Sequence, residues 1–294
     1  MAITIKNTSG STLDHKFFLF PGGEIGLKLN AKDYKFIQET QKDNHVLIIA
    51  NLHNSNDVIT LAMAKDAIER LINSVKVSLF MPYCPYGRQD RICDGGEAFS
   101  LKVFANFINS LNFHAVTTVD PHSLVTEAVF DRLNVFTQLD VIQADKPFRD
   151  RVLKGGYFIS ADAGANKKTA DIAKFFNHPD FIRADKLRNL ATGEIKETIV
   201  YADDLQGNDV FIVDDLADKG RTFIELAKVL KTKNAGKIVL RVTHGIFSGG
   251  FNYLFDNGID EIYTTDSFTQ NFVGDLPKAP KLNIANLEKM IRFY

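Results

Sequence analysis

The stretch that decides the fold is Asp209-Val-Phe-Ile-Val-Asp-Asp-Leu-Ala-Asp-Lys-Gly-Arg-Thr-Phe223. Its apolar run, 210–213, is typical of a buried parallel strand, and residues 223–230 have helical spacing. The segment between them is therefore a loop at the carboxyl end of a sheet, where open α/β folds bind ligands. The helix start offers N–H groups to a phosphate, and Asp214 and Asp215 suit sugar hydroxyls. We expect a sugar phosphate here; the alternative is a solvated acidic turn.

This loop resembles the ribose-phosphate loop of the phosphoribosyltransferase-fold proteins, in which Asp-Asp is followed by Asp-Thr-Gly-Gly-Thr or a close variant. The resemblance implies that the sugar phosphate is bound by Asp214, Asp215, Asp218, Lys219, Gly220, Arg221 and Thr222. Arg221 occupies a site normally given to glycine, and Lys219 adds a second cation. Two cations would suit a ribose extended at its 5-position, such as ADP-ribose. The alternative is that both side chains point into water.

Composition sets limits on the partners of the chain. Its 294 residues suit two domains, and its 35 Lys and Arg nearly cancel its 36 Asp and Glu. This balance favours neither a nucleic acid nor an acidic membrane surface as the partner, so we expect a small ligand. No apolar run is long enough to cross a bilayer, and the first residues lack the apolar core of a signal peptide. The sequence therefore predicts a cytoplasmic protein.

Alternating short apolar runs and helical stretches predict an α/β protein with mainly parallel sheets flanked by helices. We expect an N-terminal domain at 1–140 and a C-terminal domain at 141–294. The predicted strands are 16–20, as the first strand, then 46–50, 75–80, 115–119, 156–160, 198–201, 210–213 and 237–242. The predicted helices are 58–72, with Asp57 as N-cap, and 97–112, 145–152, 223–230 and 284–291. The two cysteines, Cys84 and Cys93, are expected to be reduced thiols.

The loop at 81–91 is the most unusual segment of the N-terminal half. It follows a predicted strand and combines two prolines, two tyrosines and two arginines, which excludes a regular element. Arg88 and Arg91 offer forked donors for phosphate oxygens, and Gln89 and Asp90 could bind a purine edge. The alternative is a rigid surface loop with an internal Arg–Asp pair.

A second small-residue loop follows the predicted strand at 156–160. A strand, then Asp162, then small residues and lysines entering a helix suit a pyrophosphate, because small side chains let backbone N–H groups approach the anion. Asp162 would bind Mg²⁺ through oxygen and water.

Residues 184–195, followed by the β-rich 198–201, predict a hairpin lid, for which an ordinary surface hairpin is the alternative.

Together these motifs resemble the ribose-phosphate diphosphokinases, the class I PRPP synthetases. The segment Pro82-Tyr-Cys-Pro-Tyr-Gly-Arg-Gln-Asp-Arg91 is similar to that family's Arg-Gln-Asp segment, and six further motifs follow the family order. They are Phe20-Pro-Gly-Gly-Glu24, Ala98-Phe-Ser-Leu-Lys102, Asp120-Pro-His122, Ser160-Ala-Asp-Ala-Gly164, the loop at 214–222, and Thr243-His-Gly-Ile-Phe-Ser-Gly249. The resemblance implies two phosphoribosyltransferase-type domains with the active site between them.

The resemblance also implies roles for several of these motifs. ATP would be bound by Phe20, Glu24, Arg88, Gln89, Asp90 and Arg91. Mg²⁺, the expected cofactor, would be held by His122 and Asp162, and the pyrophosphate loop would be Asp162, Ala163, Gly164 and Ala165. The catalytic residues would be Lys186, Arg188 and His122, the first two as a mobile pair on the lid. Here Ala165 and Asn166 depart mildly from the family's Gly-Ala.

The activity implied is transfer of the β,γ-diphosphoryl group of ATP to the anomeric hydroxyl of ribose 5-phosphate, giving PRPP and AMP. The same chemistry on ADP-ribose would give ADP-ribose 1-diphosphate. Two rivals are a phosphoribosyltransferase, which has no use for the Arg-Gln-Asp segment, and an inactive regulatory homologue, which would be expected to lose lid or metal residues. We also expect a homo-oligomer.

Overall fold

We describe the protein from a computed structural model that covers residues 3–178, 181–188, 195–268 and 281–290; the side chains of residues 187, 188, 195 and 196 lie outside it. The chain divides into two compact units, one through Phe136 and one from Thr137 onward. Among the described residues, no helix has the length and apolar character needed to span a membrane.

The first unit is built around a mainly parallel sheet. Strand β4 pairs in parallel with β5, β5 with β6 and β6 with β7, while β1 is antiparallel to β4 at one edge. Its elements are β1 (Ile3–Asn7), β2 (His15–Leu19), β3 (Ile25–Leu29), α1 (Tyr34–Asp43), β4 (His45–Ala50), α2 (Ser55–Leu71), β5 (Lys76–Met81), α3 (Ser100–Ser110), β6 (Val116–Val119), α4 (Val125–Val129) and β7 (Leu133–Phe136).

The strand predicted at 16–20 is present as β2, but it is not the first strand. Strand β1 precedes it, and β2 pairs only with β3, in a separate antiparallel hairpin. The apolar side chains Phe17–Phe20 are exposed rather than buried in a sheet; Leu19 is 66% exposed. Strand β3 packs against α2, so the hairpin lies on the helical layer of this unit.

The start of α2 also differs from the prediction. Asn54, not Asp57, is the N-cap, and its side chain accepts from the Asp57 N–H. Asp57 instead accepts from the N–H groups of His53 and Asn54, which completes a capping box. The helix therefore begins three residues earlier than its apolar spacing indicates, because polar first-turn residues carry no periodic signal.

The second unit contains a fully parallel sheet in the order β14-β13-β12-β11-β8, with a separate antiparallel pair, β9 and β10. Its elements are α5 (Gln138–Ala144), α6 (Lys146–Val152), β8 (Tyr157–Ser160), a 3-10 turn (Ala163–Ala165), α7 (Asn166–Phe175), β9 (Ala184–Arg188), β10 (Ile195–Val200), β11 (Val210–Ala217), α8 (Arg221–Thr232), β12 (Ile238–Gly245), α9 (Phe251–Phe255), β13 (Glu261–Thr265), β14 (Leu282–Ala285) and α10 (Leu287–Met290).

Two predictions for this unit need correction. Strand β11 continues through Ala217, so Asp214 and Asp215 belong to the strand rather than to the loop. The predicted helix 284–291 is wrong at its start, since residues up to Ala285 pair with β13 and the described part of α10 begins at Leu287. In both cases hydrogen bonding to a neighbouring strand, which a local pattern does not reveal, fixes the conformation.

A buried ionic network ties α6 to this sheet. Arg151, 7% exposed, donates through Nε to Glu261 Oε2 at 2.8 Å and through Nη2 to Asp209 Oδ2 at 2.6 Å. Removing one partner of such a group leaves an uncompensated buried charge, which typically costs about 3–5 kcal/mol. The network therefore fixes α6, at the start of the unit, against β13, near its end.

Candidate active site

Two adjacent carboxylates, Asp214 and Asp215, lie near the carboxyl end of strand β11 in the second unit. Asp215 is 8% exposed, and its N–H donates to Asp214 Oδ1 at 2.9 Å. Burial raises the pKa of Asp214 well above its usual value, and the neighbouring Asp215 raises it further. Open α/β folds bind ligands at the carboxyl ends of their strands, and carboxyl groups with shifted pKa values are common at such sites, so these two acids are candidate ligand-binding residues.

The turn after β11 depends on Gly220, which is the N-cap of α8. Its φ of 79° is in the left-handed region, and a Cβ at this position would lie 2.4 Å from Leu254 Cδ2. Glycine is needed here for both reasons, since other residues disfavour this backbone conformation and Leu254 is fully buried. The turn lets α8 begin only a few residues after the two carboxylates.

Replacing Gly220 with alanine is expected to lower the free energy of unfolding by about 2–5 kcal/mol, the sum of the left-handed backbone cost and core overpacking. Chemical denaturation measures this effect. Adding Leu254→Ala should recover only the packing part, so the double variant stays less stable than Leu254→Ala alone. Equal stability of those two proteins would contradict the backbone argument.

The start of α8 is not capped by any side chain. The starts of α3, α4, α7 and α9 likewise lack a side-chain cap, whereas α2 and α5 each begin with a complete capping box, built on Asn54 and Thr137. Helix starts leave N–H groups without intrahelical partners, and a bound anion can satisfy them. The side chains of Lys219 and Arg221 flank this helix start and are exposed. Within the described residues, neither forms an ion pair or a side-chain hydrogen bond.

The predicted pyrophosphate loop is capped by its own first residue. Asp162 Oδ1 accepts from Gly164 N at 3.0 Å and from Ala165 N at 3.2 Å. These are two of the backbone N–H groups expected to face an anion. To bind these two N–H groups, a diphosphate would therefore have to replace Asp162 as their acceptor.

Strands β9 and β10 form the hairpin expected for the lid, and they place Lys186 beside that loop. Lys186 Nζ lies 3.5 Å from Asp162 Oδ2; the lysine side chain is 2% exposed and that of Asp162 is 43% exposed. The side chain of Arg188 and residues 189–194 lie outside the described residues. The structure thus brings together Asp162 and Lys186, and Asp162 is close enough to Asp214 to raise the pKa of Asp214.

In the first unit, the loops after β5 and β6 lie side by side. Asp90, 5% exposed, pairs with Arg91 at 2.9 Å, and this hydrogen bond lowers the pKa of Asp90, with smaller contributions from Ser123 and the charge of His122. The internal Arg–Asp pair considered above is thus present. Tyr86, with φ 62°, and Asp120, with φ 39°, hold left-handed conformations in these loops. Strain of this kind at strand ends is typical of ligand sites.

Phe20 and Glu24 occupy the turn of the exposed β2–β3 hairpin. Phe20 N donates to Glu24 O at 2.8 Å, and Phe20 is 49% exposed. The turn therefore leaves an aromatic face and a carboxylate open to a ligand. Arg88 and Gln89 are exposed as well.

The side chains present fit a magnesium ion that is held mainly by substrate phosphates and water. Within the part of the chain that the structure describes, no three His, Cys, Asp or Glu side chains are grouped to hold a metal. Mg²⁺ commonly uses one or two carboxylates together with substrate phosphates and several waters. Asp162 offers a partly exposed carboxylate, and His122 is exposed.

The two thiols are expected to differ sharply in reactivity. Cys84 is buried, which raises the pKa of its thiol to about 12, whereas Cys93 is exposed. Because the thiolate is the reactive form, iodoacetamide at pH 8 should modify Cys93 and leave Cys84 unmodified in the native protein. Mass spectrometry of the alkylated protein measures this, with the urea-unfolded chain as the fully labelled control. Labelling of Cys84 before unfolding would contradict the burial argument.

Sequence reasoning missed the residues that support the ribose-phosphate loop. Ser248 Oγ donates to Asp218 Oδ1 at 2.6 Å, and a 2.8 Å hydrogen bond joins His244 Nδ1 to Ser267 Oγ. The sequence indicated these residues in part, because Ser248 and His244 lie in the motif 243–249 that resembles the family. No role was given to either one, since nothing local shows which strand end they face.

Known proteins resemble this chain over most of its length. Residues 180–291 match the phosphoribosyl synthetase-associated domain. Ribose-phosphate pyrophosphokinase from Sulfolobus acidocaldarius is 26% identical over 88% of this chain and 85% of its own length; that from Haemophilus ducreyi is 27% identical over 92% and 83%. The crystal structure of phosphoribosylpyrophosphate synthetase from Mycobacterium smegmatis superposes with a TM-score of 0.76 at 17% identity, covering 96% of this chain and 88% of that one.

The fold is therefore that of two phosphoribosyltransferase-type α/β domains with mainly parallel sheets, as predicted. Over most of its length the chain is similar in sequence to ribose-phosphate pyrophosphokinases.

Proposed function

We propose that the protein transfers the β,γ-diphosphoryl group of ATP to the anomeric hydroxyl of ribose 5-phosphate, giving PRPP and AMP. The observation that carries this proposal is that Asp214 and Asp215, on β11, are followed after a short glycine turn by the start of α8, which has no side-chain cap. One strand–turn–helix segment thus offers acceptors for sugar hydroxyls and N–H groups for a phosphate. The sequence similarity to ribose-phosphate pyrophosphokinases supports the same substrate class.

In this proposal the sugar lies on the loop after β11. Asp214 and Asp215 accept hydrogen bonds from the ribose hydroxyls, and the N–H groups at the start of α8, with the Thr222 hydroxyl, bind the 5-phosphate. Gly220 lets the backbone approach the phosphate closely. The sugar is thus held at both ends, which fixes the position of its anomeric hydroxyl.

The diphosphoryl group is handled by the loop after β8 and by the lid. The N–H groups of Gly164 and Ala165 donate to the diphosphate once Asp162 no longer accepts from them. The ammonium group of Lys186 then turns from Asp162 to the negative charge that develops on the transferring group. Arg188 is assigned to the same task. Such phosphoryl chemistry needs positioning and charge stabilisation rather than covalent participation by the protein.

ATP is assigned to the first unit. Phe20 offers a stacking face and Glu24 a hydrogen-bond acceptor for the base, while Arg88 and Gln89 bind the nucleotide. Asp90 is buried and paired, so its part is to orient Arg91 toward the phosphates. His122 and Asp162 are the residues that would hold Mg²⁺, which supplies neutralising charge to the triphosphate when bound.

A second acceptor, a ribose extended at its 5-position, is favoured by one observation. Lys219 and Arg221 are exposed beside the phosphate site. Neither pairs with an acid among the described residues, so both charges are available to a further phosphate. A diphosphate such as that of ADP-ribose would meet two cations there, whereas a monoester needs only the helix start.

The test is product analysis in a competition between acceptors. The protein is incubated with ATP, Mg²⁺ and equal concentrations of ribose 5-phosphate and ADP-ribose, and AMP and each sugar diphosphate are quantified. Formation of PRPP supports the main proposal, and ADP-ribose 1-diphosphate supports the second. AMP release with neither product would overturn both. Consumption of PRPP with a base would identify a phosphoribosyltransferase instead.

The double variant Lys219→Thr plus Arg221→Gly provides the matched comparison. If these cations select the extended acceptor, the ratio of kcat/KM for ADP-ribose to that for ribose 5-phosphate should fall by about tenfold or more. An unchanged ratio would show that both side chains point into solvent and do not contact the acceptor. Lys228→Ala is the control, because Lys228 is an exposed residue later in α8.

A further inference from the structure

The segment 245–250, which has no role in the proposed chemistry, lies against the ribose-phosphate loop. The N–H groups of Ile246 and Phe247 both donate to Ala217 O, at 2.8 and 3.1 Å. A Cβ built on Gly249 would lie 3.6 Å from Lys219 O. The segment therefore follows the backbone of the loop from the end of β11 to the residue before Gly220.

The backbone of this segment is held in a conformation that it would not adopt alone. Phe247 has φ 45°, in the left-handed region, although its side chain is bulky and only 2% exposed. Its ring packs against Phe251, with 4.7 Å between centroids, and a Cβ on Gly245 would lie 2.0 Å from the Phe247 ring. Strained backbone of this kind persists only where the surrounding packing imposes it.

The strained turn places Ser248 next to Asp218. Ser248 Oγ donates to Asp218 Oδ1 at 2.6 Å, a short hydrogen bond to a charged acceptor. The proposed phosphate loop, residues 217–222, contains one carboxylate, that of Asp218. A carboxylate turned toward a phosphate opposes its binding, so the direction in which Asp218 points affects the affinity of the loop.

We propose that Ser248 is a positioning residue for the sugar phosphate: through its hydrogen bond to Asp218, the strained 245–250 segment fixes the phosphate loop in its binding conformation. This inference rests on the proposed function for its choice of ligand, although the contact itself exists in the ligand-free protein. Ser248 touches no reacting atom and acts through Asp218 alone. The expected signature is a change in sugar affinity with little change in turnover.

The test compares Ser248→Ala with Ser248→Thr, which keeps the hydroxyl. Ser248→Ala should raise KM for the sugar phosphate about 5- to 10-fold and leave kcat and KM for ATP within about twofold, whereas Ser248→Thr should restore the native values. Ser110→Ala is the matched control, because the exposed Ser110 hydroxyl donates only to a backbone carbonyl in α3. Equal increases in KM for both substrates would overturn the proposal.

Hydrogen–deuterium exchange of the ligand-free protein gives a second readout that needs no turnover. The amides of residues 218–222 should exchange at least about threefold faster in Ser248→Ala and at the native rate in Ser248→Thr. Unchanged exchange in Ser248→Ala would refute the positioning role even if the enzyme is active. Faster exchange in a protein that diphosphorylates neither sugar would keep the positioning role and reject the proposed function.

Discussion

Replacement of Lys186 with alanine is expected to lower kcat by about 10²–10³-fold while KM for ATP changes by less than about threefold. Lys186 pairs with Asp162 at 3.5 Å, so its charge is already directed to the loop that we propose as the diphosphate site. An interaction that strengthens as charge develops in the transition state appears in kcat rather than in substrate binding. Steady-state AMP release, with ATP and acceptor varied in turn, measures both constants.

The control for this variant is Lys174→Ala, which removes an exposed lysine of α7 from the same unit. It should leave kcat and both KM values within twofold of native. If Lys186→Ala weakens ATP binding strongly but keeps its kcat, Lys186 is a substrate clamp and the assignment to the transferring group is wrong. Circular dichroism of both variants checks that the fold is retained.

Replacement of Asp214 with asparagine is expected to abolish most activity, by about 100-fold or more in kcat/KM for the sugar, while making the protein more stable at pH 8. Asparagine cannot accept at both side-chain positions, so a hydrogen bond to the sugar is lost. At the same time it removes a buried charge whose pKa is raised by burial and by Asp215. Relief of such a site commonly contributes about 0.5–2 kcal/mol.

The pH dependence of stability fixes the sign of this effect. Because the pKa of Asp214 is raised in the folded protein, its contribution to stability is fully present below the pKa of an unfolded aspartate. That contribution is lost as pH rises through the folded pKa. The stability advantage of Asp214→Asn should therefore grow from pH 4 to pH 8, as measured by urea denaturation.

Asp256→Asn, a change of an exposed acid in the same unit, should show no such growth. An Asp214→Asn protein that is less stable than native at pH 8, or that keeps its kcat/KM for the sugar, would contradict the interpretation of Asp214 as a charge maintained for ligand binding.

The sheet strands were the part of the fold most open to prediction. Apart from the exposed Lys76 and Lys237, residues 46–50, 75–80 and 237–242 are buried, so these strands are rich in apolar residues. The exposed hairpin strand at 15–19 is also rich in apolar residues and was predicted as a strand for that reason. Composition alone does not reveal which apolar runs are covered, since that depends on the helices packed above them.

The candidate site was predictable as motifs but not as contacts. Asp162, Lys186 and Asp214 were all identified by their place in the sequence, whereas the pairing of Lys186 with Asp162 depends on a hairpin far along the chain. The self-capping of the loop by Asp162 and the hydrogen bond from Ser248 to Asp218 were not predicted. Each involves a side-chain direction, which sequence spacing does not fix.

The ionic network of Arg151 has a consequence for synthesis of the chain on the ribosome. Arg151 and its partner Glu261 are 110 residues apart. At 5–20 residues per second, the emerging chain would carry Arg151 for roughly 5–20 s before Glu261 is made. The first unit needs no residue beyond Phe136 for its sheet and can fold during that interval. Asp209 is made earlier and can pair with Arg151, but the network is complete only when β13 emerges, so the second unit reaches its final packing later than the first and stays accessible to chaperones and proteases for longer.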